Sequence, residues 1–409
     1  MNIMKEKFLR FIDNRKAVII IFAVFSVIAS TQSLLHKPSA YTYEGTEYTR
    51  THYNNYEIFK YSFFHLKDGE DLYTLHLDEC WDYFKYTPTF AAFFGIFACM
   101  PDWLGVNLWN MLNVIILVLA VYYLPIPSLR KKSIALLLCA VELITSIQNT
   151  QSNAMLAGLL VLAYGLLEKD KTFWAAFCVV ASMYIKLFGI VGALLFLLYP
   201  KKWKSLLYGI FWTVVFAAAP LAFISANQYE TLLASYLNLL SADHSNSIGF
   251  SVMGWLETWF GLTPDKWFVV GAGAVLMMLP LLKTNAFGDM QFRFRMLASV
   301  LVWIVIFNHK AESPTFIIAM TGVALWFVDT KHNWLNVTLL ALAIIFTELS
   351  PTDIFPRTLR ENIVTPYVLK GVPCILVWLK MMYELMLYKR SENDFEVLYG
   401  IPTDLPRQS

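Results

Sequence analysis

Apolar runs long enough to cross a bilayer core recur along this chain from near its N-terminus to about residue 388. A crossing helix needs about 20 mostly apolar residues. Candidate spans fall at 17–35, 103–124, 133–149, 153–167, 172–186, 187–200, 206–226, 266–282, 294–308, 314–328, 334–349 and 364–388. So many runs in 409 residues leave no room for a large soluble domain. Charged residues make up 15% of the chain, against about a quarter in soluble domains. The expected fold is therefore all-α and polytopic, one membrane domain over 1–388 with a cytoplasmic tail at 389–409. The first run follows Lys5, Lys7, Arg10, Arg15 and Lys16 and ends without a small-residue cleavage site. That marks a retained span, not a removed signal peptide.

Lys and Arg collect in cytoplasmic loops. The basic loops are 1–16, 125–132, 168–171, 201–205, 283–293, 329–333 and the tail. All fall on one side only if the apolar run 88–100 does not cross. Its length also suits an interfacial or re-entrant helix. The layout predicts about twelve spans in the inner (plasma) membrane, with both termini cytoplasmic. The first outside segment, 36–102, holds ten acidic and five basic residues and many aromatics. Within it, 54–67 reads as a second interfacial helix, with Tyr56, Phe59, Phe63 and Leu66 at helical spacing and Asn54 as cap. The second large outside segment is 227–265. The five cysteines show no CxxC spacing, so neither a disulfide framework nor a zinc site is expected. Nothing in the charge pattern calls for nucleic acid.

Several short motifs follow one another in a fixed order. They are Asn55-Tyr56-Glu57-Ile58-Phe59, Glu70-Asp71-Leu72-Tyr73, Lys85-Tyr86-Thr87-Pro88-Thr89-Phe90, Leu108-Trp109-Asn110-Met111-Leu112-Asn113, Thr150-Gln151-Ser152-Asn153 and Ile185-Lys186-Leu187-Phe188, with Lys201-Lys202-Trp203 behind them. This order resembles glycosyltransferase family 87 of the GT-C superfamily, most closely over residues 50–200. The resemblance implies a membrane-embedded mannosyl- or arabinosyltransferase-like enzyme of the inverting type. It would move a hexosyl or pentosyl unit from a polyprenyl-phosphate donor to a glycan or lipid-linked acceptor on the extracytoplasmic face. The family's catalytic aspartate aligns with Asn55, which cannot act as a base. Either a nearby carboxylate does the work, or the acceptor chemistry differs, or the chain is inactive.

Such a transfer needs a carboxylate to deprotonate the acceptor hydroxyl. It also needs cations to meet the leaving phosphate, and polar and aromatic groups to hold the sugar. Glu57 is the preferred base, with Glu47 and Glu44 upstream as alternatives. Asn54, Asn55, Asp71, Tyr73, Tyr86, Gln151 and Asn153 are expected to hold substrate. Lys85, at the outer interface, would meet a phosphate or merely snorkel. Lys186 interrupts apolar sequence at an outer helix end, where an ionisable residue is a functional candidate. His309, Lys310 and Glu312 crowd one short outer turn, either for phosphate or sugar or as a self-satisfied cluster. Arg357 and Arg360 would attract an anionic head group or cap the last span. No metal ligands are assigned, and a divalent metal stays an option because no outside Asp-x-Asp pair exists. Glu142 sits mid-span, where it either supports the Gln148–Asn153 turn or marks a proton path, the latter favouring the alternative of a lipid-sugar flippase or transporter; a catalytically inactive family member is the third reading.

Overall fold

The computed structural model describes residues 2–241, 249–309 and 311–389. Lys310, and the expected tail beyond its first residue, lie outside the described residues. The described chain is mostly helical, as expected, with one small antiparallel hairpin.

The chain opens with α1 (Asn2–Ile12) and α2 (Arg15–Leu35), the latter capped by the Asn14 side chain accepting from the Ala17 amide. Then comes the hairpin, β1 (Ser39–Tyr43) and β2 (Thr46–Arg50), in a stretch expected to be loop. Next are α3 (Asn54–Asp68) and α4 (Pro88–Ala98), at the expected places of the two interfacial helices. Thr87 caps α4 and Pro88 opens its first turn, where a missing amide hydrogen costs nothing. The helices α5 (Asp102–Tyr123), α6 (Leu129–Leu138), α7 (Ala140–Gln148), α8 (Asn153–Leu167) and α9 (Thr172–Ile185) follow. A 3-10 helix, Leu187–Leu198, leads to α10 (Lys202–Ala218), α11 (Ala226–Ser241), α12 (Val252–Phe260) and α13 (Lys266–Met278). The last part comprises α14 (Met290–Ile306), α15 (Phe316–Asp329), α16 (Trp334–Leu342) with a π-helical extension to Leu349, the single turn α17 (Arg357–Leu359) and α18 (Val372–Met386).

Among the described residues, three helical stretches are long and apolar enough to cross a membrane: Arg15–Leu35, Asp102–Tyr123 and Lys202–Ala222. Seven further apolar helices have 10–17 residues, and the expected count of about twelve spans does not follow from helix length. One expected span, 133–149, is divided at Cys139, whose backbone leaves helical geometry. On α10, Leu207, Ile210, Phe211 and Val214 face outward. So much apolar surface on a helix with its backbone bonded internally suits hydrocarbon, not water.

The chain's basic loops gather at one end. Arg130 pairs with Asp13 at 2.6 Å, and Lys169 stands 3.5 Å over the Tyr123 ring. Arg293 grips Glu168 with two bonds of 2.7 Å, and Lys283 donates to the Tyr388 carbonyl at 3.1 Å. Asn153, at the other end of α8 from Glu168, is ~22 Å away at the helical rise of 1.5 Å per residue.

Glu142 is fully buried and accepts from Lys370, which also donates to the Thr347 carbonyl at 2.8 Å. The mid-span carboxylate thus ties α7 to the C-terminal part of the chain. Removing one partner of such a pair typically costs about 3–5 kcal/mol, because the other charge stays buried alone. Lys370→Met is expected to lower the unfolding temperature sharply, and Lys370→Met with Glu142→Leu to recover most of it. Differential scanning fluorimetry in detergent measures both, and an unaffected single variant would contradict the pairing.

Candidate functional site

A chamber of about 540 Å³ opens at the end opposite the basic loops. Five separate stretches build its wall: the chain from the end of β2 to the start of α4, the α7–α8 turn, the residues after α9, helix α11 and the α14–α15 turn. Its lining includes Arg50, Asn54, Asn55, Asp82, Lys85, Tyr86, Gln151, Lys186, Asn308, His309 and Glu312.

Lys186 ends α9, where its backbone turns extended. Its ammonium donates to Asn153 Oδ1 at 2.8 Å and Gln151 Oε1 at 3.3 Å. It lies 5.4 Å from the Tyr86 ring and 5.8 Å from the Phe188 ring, within cation–π range. Tyr86 OH donates to the same Gln151 oxygen at 3.1 Å. Asn153 Nδ2 donates to the Pro314 carbonyl at 3.0 Å, tying this cluster to the turn that carries His309 and Glu312.

The α7–α8 turn is held by α5. Asn110 Nδ2 donates to the Ile147 carbonyl at 3.1 Å, Trp109 Nε1 to the Thr150 carbonyl at 2.9 Å, and Met155 N to Asn113 Oδ1 at 3.0 Å. The Trp109–Asn113 motif is therefore scaffold, and it aims Gln151 and Asn153 without lining the chamber itself. Thr150 sits at φ +49° and Asp82 at φ +93°, left-handed conformations that non-glycine residues rarely adopt. Asp82 lines the chamber and Thr150 is buried between its wall residues Asn149 and Gln151, and strain of this kind collects at functional sites.

Asn54 does not cap α3, as expected from sequence; it is the helix's first residue. Its amide exchanges two bonds with the Trp81 backbone, at 2.6 and 2.7 Å, fixing the strand of chain that bears Asp82, Lys85 and Tyr86. Asn55 Nδ2 donates to the Asn149 carbonyl at 2.9 Å. Asp71 accepts from Ser235 Oγ at 2.9 Å and from the Tyr73 amide, and Tyr73 OH donates to the Tyr86 carbonyl at 3.0 Å. Tyr73 also stacks on Tyr236 of the chamber wall at 5.1 Å. Asp71 and Tyr73 support the wall rather than form it.

The three expected bases are not among the residues of the chamber wall. Glu44 stands at the hairpin turn and Glu47 in β2, both exposed. Glu57 accepts from Thr51 Oγ1 at 2.6 Å. Helical rotation explains its direction: at about 100° per residue, positions 54, 55, 58 and 59 share one face and position 57 the reverse. Burial raises the Glu57 carboxyl above its usual range, while the Thr51 hydroxyl acts against that. The carboxylates on the chamber wall are Asp82 and Glu312. Asp82 is engaged with Lys85 at 3.0 Å. His309 is pushed below the ordinary imidazole range by burial first and the Lys266 charge second, which favours the neutral ring.

Sequence reasoning missed Arg50, Asp82 and Tyr236 as wall residues. Arg50 ends the unforeseen hairpin, which also stacks Tyr41 on Trp81 at 5.0 Å. Tyr236 comes from α11, a helix with no motif of its own.

The model of glycosyltransferase family 87 matches residues 84–351. The matched stretch takes in Lys85, Tyr86, the α7–α8 turn, Lys186 and the α14–α15 turn, and begins after α3. No curated protein matches the chain.

Proposed function

Because the chain belongs to glycosyltransferase family 87, we propose that the chamber is where a sugar passes from a polyprenyl-phosphate donor to a glycan or lipid-linked acceptor, with inversion and on the extracytoplasmic face. The observation that carries this reading is Lys186 in the chamber wall. It is a cation held by neutral amide oxygens and aromatic faces, at a helix end where a lipid phosphate would lie.

The acceptor hydroxyl attacks the anomeric carbon as Glu312 takes its proton. The bond from that carbon to the phosphate oxygen breaks, and the departing phosphate keeps the electron pair. Lys186 meets its growing charge, with Arg50 and Lys85 adding positive potential at the rim. Asn55, Gln151 and neutral His309 offer hydrogen bonds to sugar hydroxyls, and Tyr86 offers a ring face. In this reading Asn55 is a sugar ligand, and its replacement of the family aspartate does not imply loss of activity. The basic loops gathered at the opposite end support an arrangement of the GT-C type with that end cytoplasmic. Glu142, the residue that favoured the transporter reading, is in an ion pair with Lys370 that joins α7 to the C-terminal part of the chain.

Sealed vesicles of known orientation test both face and activity. Glu44→Cys on the hairpin and Lys131→Cys on the basic end are expected to react with an impermeant maleimide from opposite sides. Radiolabelled sugar is expected to leave polyprenyl-phosphate mannose or arabinose only when donor is supplied on the hairpin side. Labelling of both sites from one side sinks the topology, and failure with every hexosyl and pentosyl lipid phosphate sinks the activity.

A further inference from the structure

Behind the chamber wall, the end of α3 and the loop after it bring together two imidazoles and two carboxylates. Helix α3 stops at Gly69, which takes φ +86° and returns its amide to the His65 carbonyl. The chain then doubles back, so that residues 70–79 pass beside the last turn of the helix. A short turn follows, in which the Glu79 and Cys80 amides both donate to the His76 carbonyl at 3.0 Å.

Ligand atoms of His65, His76 and Glu79 all lie within 4.8 Å of one another. His65 Nε2 is 2.6 Å from Glu79 Oε2 and 3.6 Å from Glu70 Oε2. That nitrogen has one hydrogen to give, yet two carboxylates approach it. The His76 ring stacks on the His65 ring at 3.8 Å. His76 Nε2 lies 3.1 Å from the Asp71 carbonyl, which only accepts. With Nε2 donating to that carbonyl, and the Thr74 hydroxyl also 3.1 Å from Nε2, the other ring nitrogen keeps its lone pair, the state a metal ligand requires. A backbone carbonyl on the far ring nitrogen is also the usual outer support of a metal-bound histidine.

We infer that His65, His76 and Glu79 form a structural site for a divalent transition metal, zinc by preference, with Glu70 as fourth ligand. Two nitrogens and carboxylate oxygen suit zinc, whereas calcium and magnesium favour all-oxygen sets. Tetrahedral zinc with bonds of about 2.0–2.2 Å holds its ligand atoms roughly 3.3–3.6 Å apart. To reach that spacing the His65–Glu79 contact must open and the other ligand atoms, within 4.8 Å of one another, must draw in. An ion there would answer two carboxylates that one imidazole hydrogen does not satisfy. It would pin residues 70–79 to α3, and through Asp71 and Tyr73 it would steady Tyr86 and Tyr236 in the chamber wall. The cysteine spacing gave no sign of it, because no cysteine takes part.

The test uses the full chain in detergent, purified with a histidine-free tag and stripped by chelator. Zinc chloride titrated by calorimetry is expected to bind at one ion per chain and to raise the unfolding temperature, with magnesium chloride doing neither. His76→Ala and Glu79→Gln, at half-buried and exposed positions, are expected to weaken zinc binding by about 10²-fold or more while keeping the helical circular dichroism. His76→Cys, which supplies another zinc ligand, is expected to restore part of it. The proposal is overturned if the stripped wild type takes up no zinc, or if both His76→Ala and Glu79→Gln bind it as the wild type does.

Discussion

Glu312→Gln is expected to lower sugar transfer by about 10²–10⁴-fold, the usual cost of losing a general base, while donor binding is kept. Glutamine preserves the shape and the hydrogen-bonding reach of the side chain but cannot take a proton. The substitution therefore isolates the base role from packing. Glu57→Gln is the decisive companion. Glu57 is buried enough to have a raised pKa, a property that suits a base. Geometry outweighs that: its carboxylate is bonded to Thr51 on the reverse face of α3, away from Asn54, Asn55, Ile58 and Phe59 on the chamber side. Glu57→Gln is thus expected to stay within a few-fold of wild type. Single-turnover transfer with a lipid-phosphate sugar separates the two outcomes. An active Glu312→Gln beside a dead Glu57→Gln would return the base to α3 and require that helix to rotate on binding substrate.

Much of the chamber was legible as isolated polar residues in apolar sequence. Lys186 stood out because charge at a helix end between apolar runs has no cheap explanation, and the crowded turn 308–312 stood out for the same reason. What sequence could not supply was direction. A helix gives each residue a face, and that face is known only when the partner surface is known, so Glu57 looked as well placed as Asn55. The hairpin was hidden by its chemistry. Its turn places Glu44 at φ +48° and Gly45 at φ +82°, a conformation that Asn-Gly or Asp-Gly advertises and Glu-Gly does not. Its register sets Tyr41 opposite Tyr48 on an exposed two-stranded ribbon, without the polar–apolar alternation that a half-buried strand shows. Arg50 was lost with it. Asp82 arrives from an irregular stretch held by the Asn54–Trp81 bonds, and Tyr236 from α11, whose helical spacing of Tyr229, Leu232 and Tyr236 marks a helix without saying that it faces the chamber. Glu142 was visible at once as a costly buried charge, but its partner Lys370 is 228 residues away and only the fold joins them.

Lys186→Ala is expected to weaken donor binding by about 10–10²-fold, the range for losing one hydrogen bond to a charged group at roughly 1.5–3 kcal/mol. The ammonium's hydrogen-bond acceptors are the amide oxygens of Gln151 and Asn153, both neutral. Those bonds orient the charge without neutralising it, and Glu312 is the carboxylate that shares its field with an incoming phosphate. If the lysine meets charge that grows as the phosphate departs, turnover falls as well as affinity, because that contact strengthens toward the transition state. A purely structural lysine behaves otherwise. Its loss would lower the unfolding temperature and the activity together, and Lys186→Met, which keeps most of the apolar stem, would recover both. On the phosphate reading Lys186→Met keeps the wild-type unfolding temperature yet binds donor as poorly as Lys186→Ala, and Lys186→Arg recovers part of the affinity. Asn153 stays anchored to the Pro314 carbonyl in each variant, so the α7–α8 turn need not move when the lysine goes. Donor titration by tryptophan fluorescence, read beside thermal unfolding, separates the two; wild-type affinity in Lys186→Met would remove the phosphate from this part of the chamber.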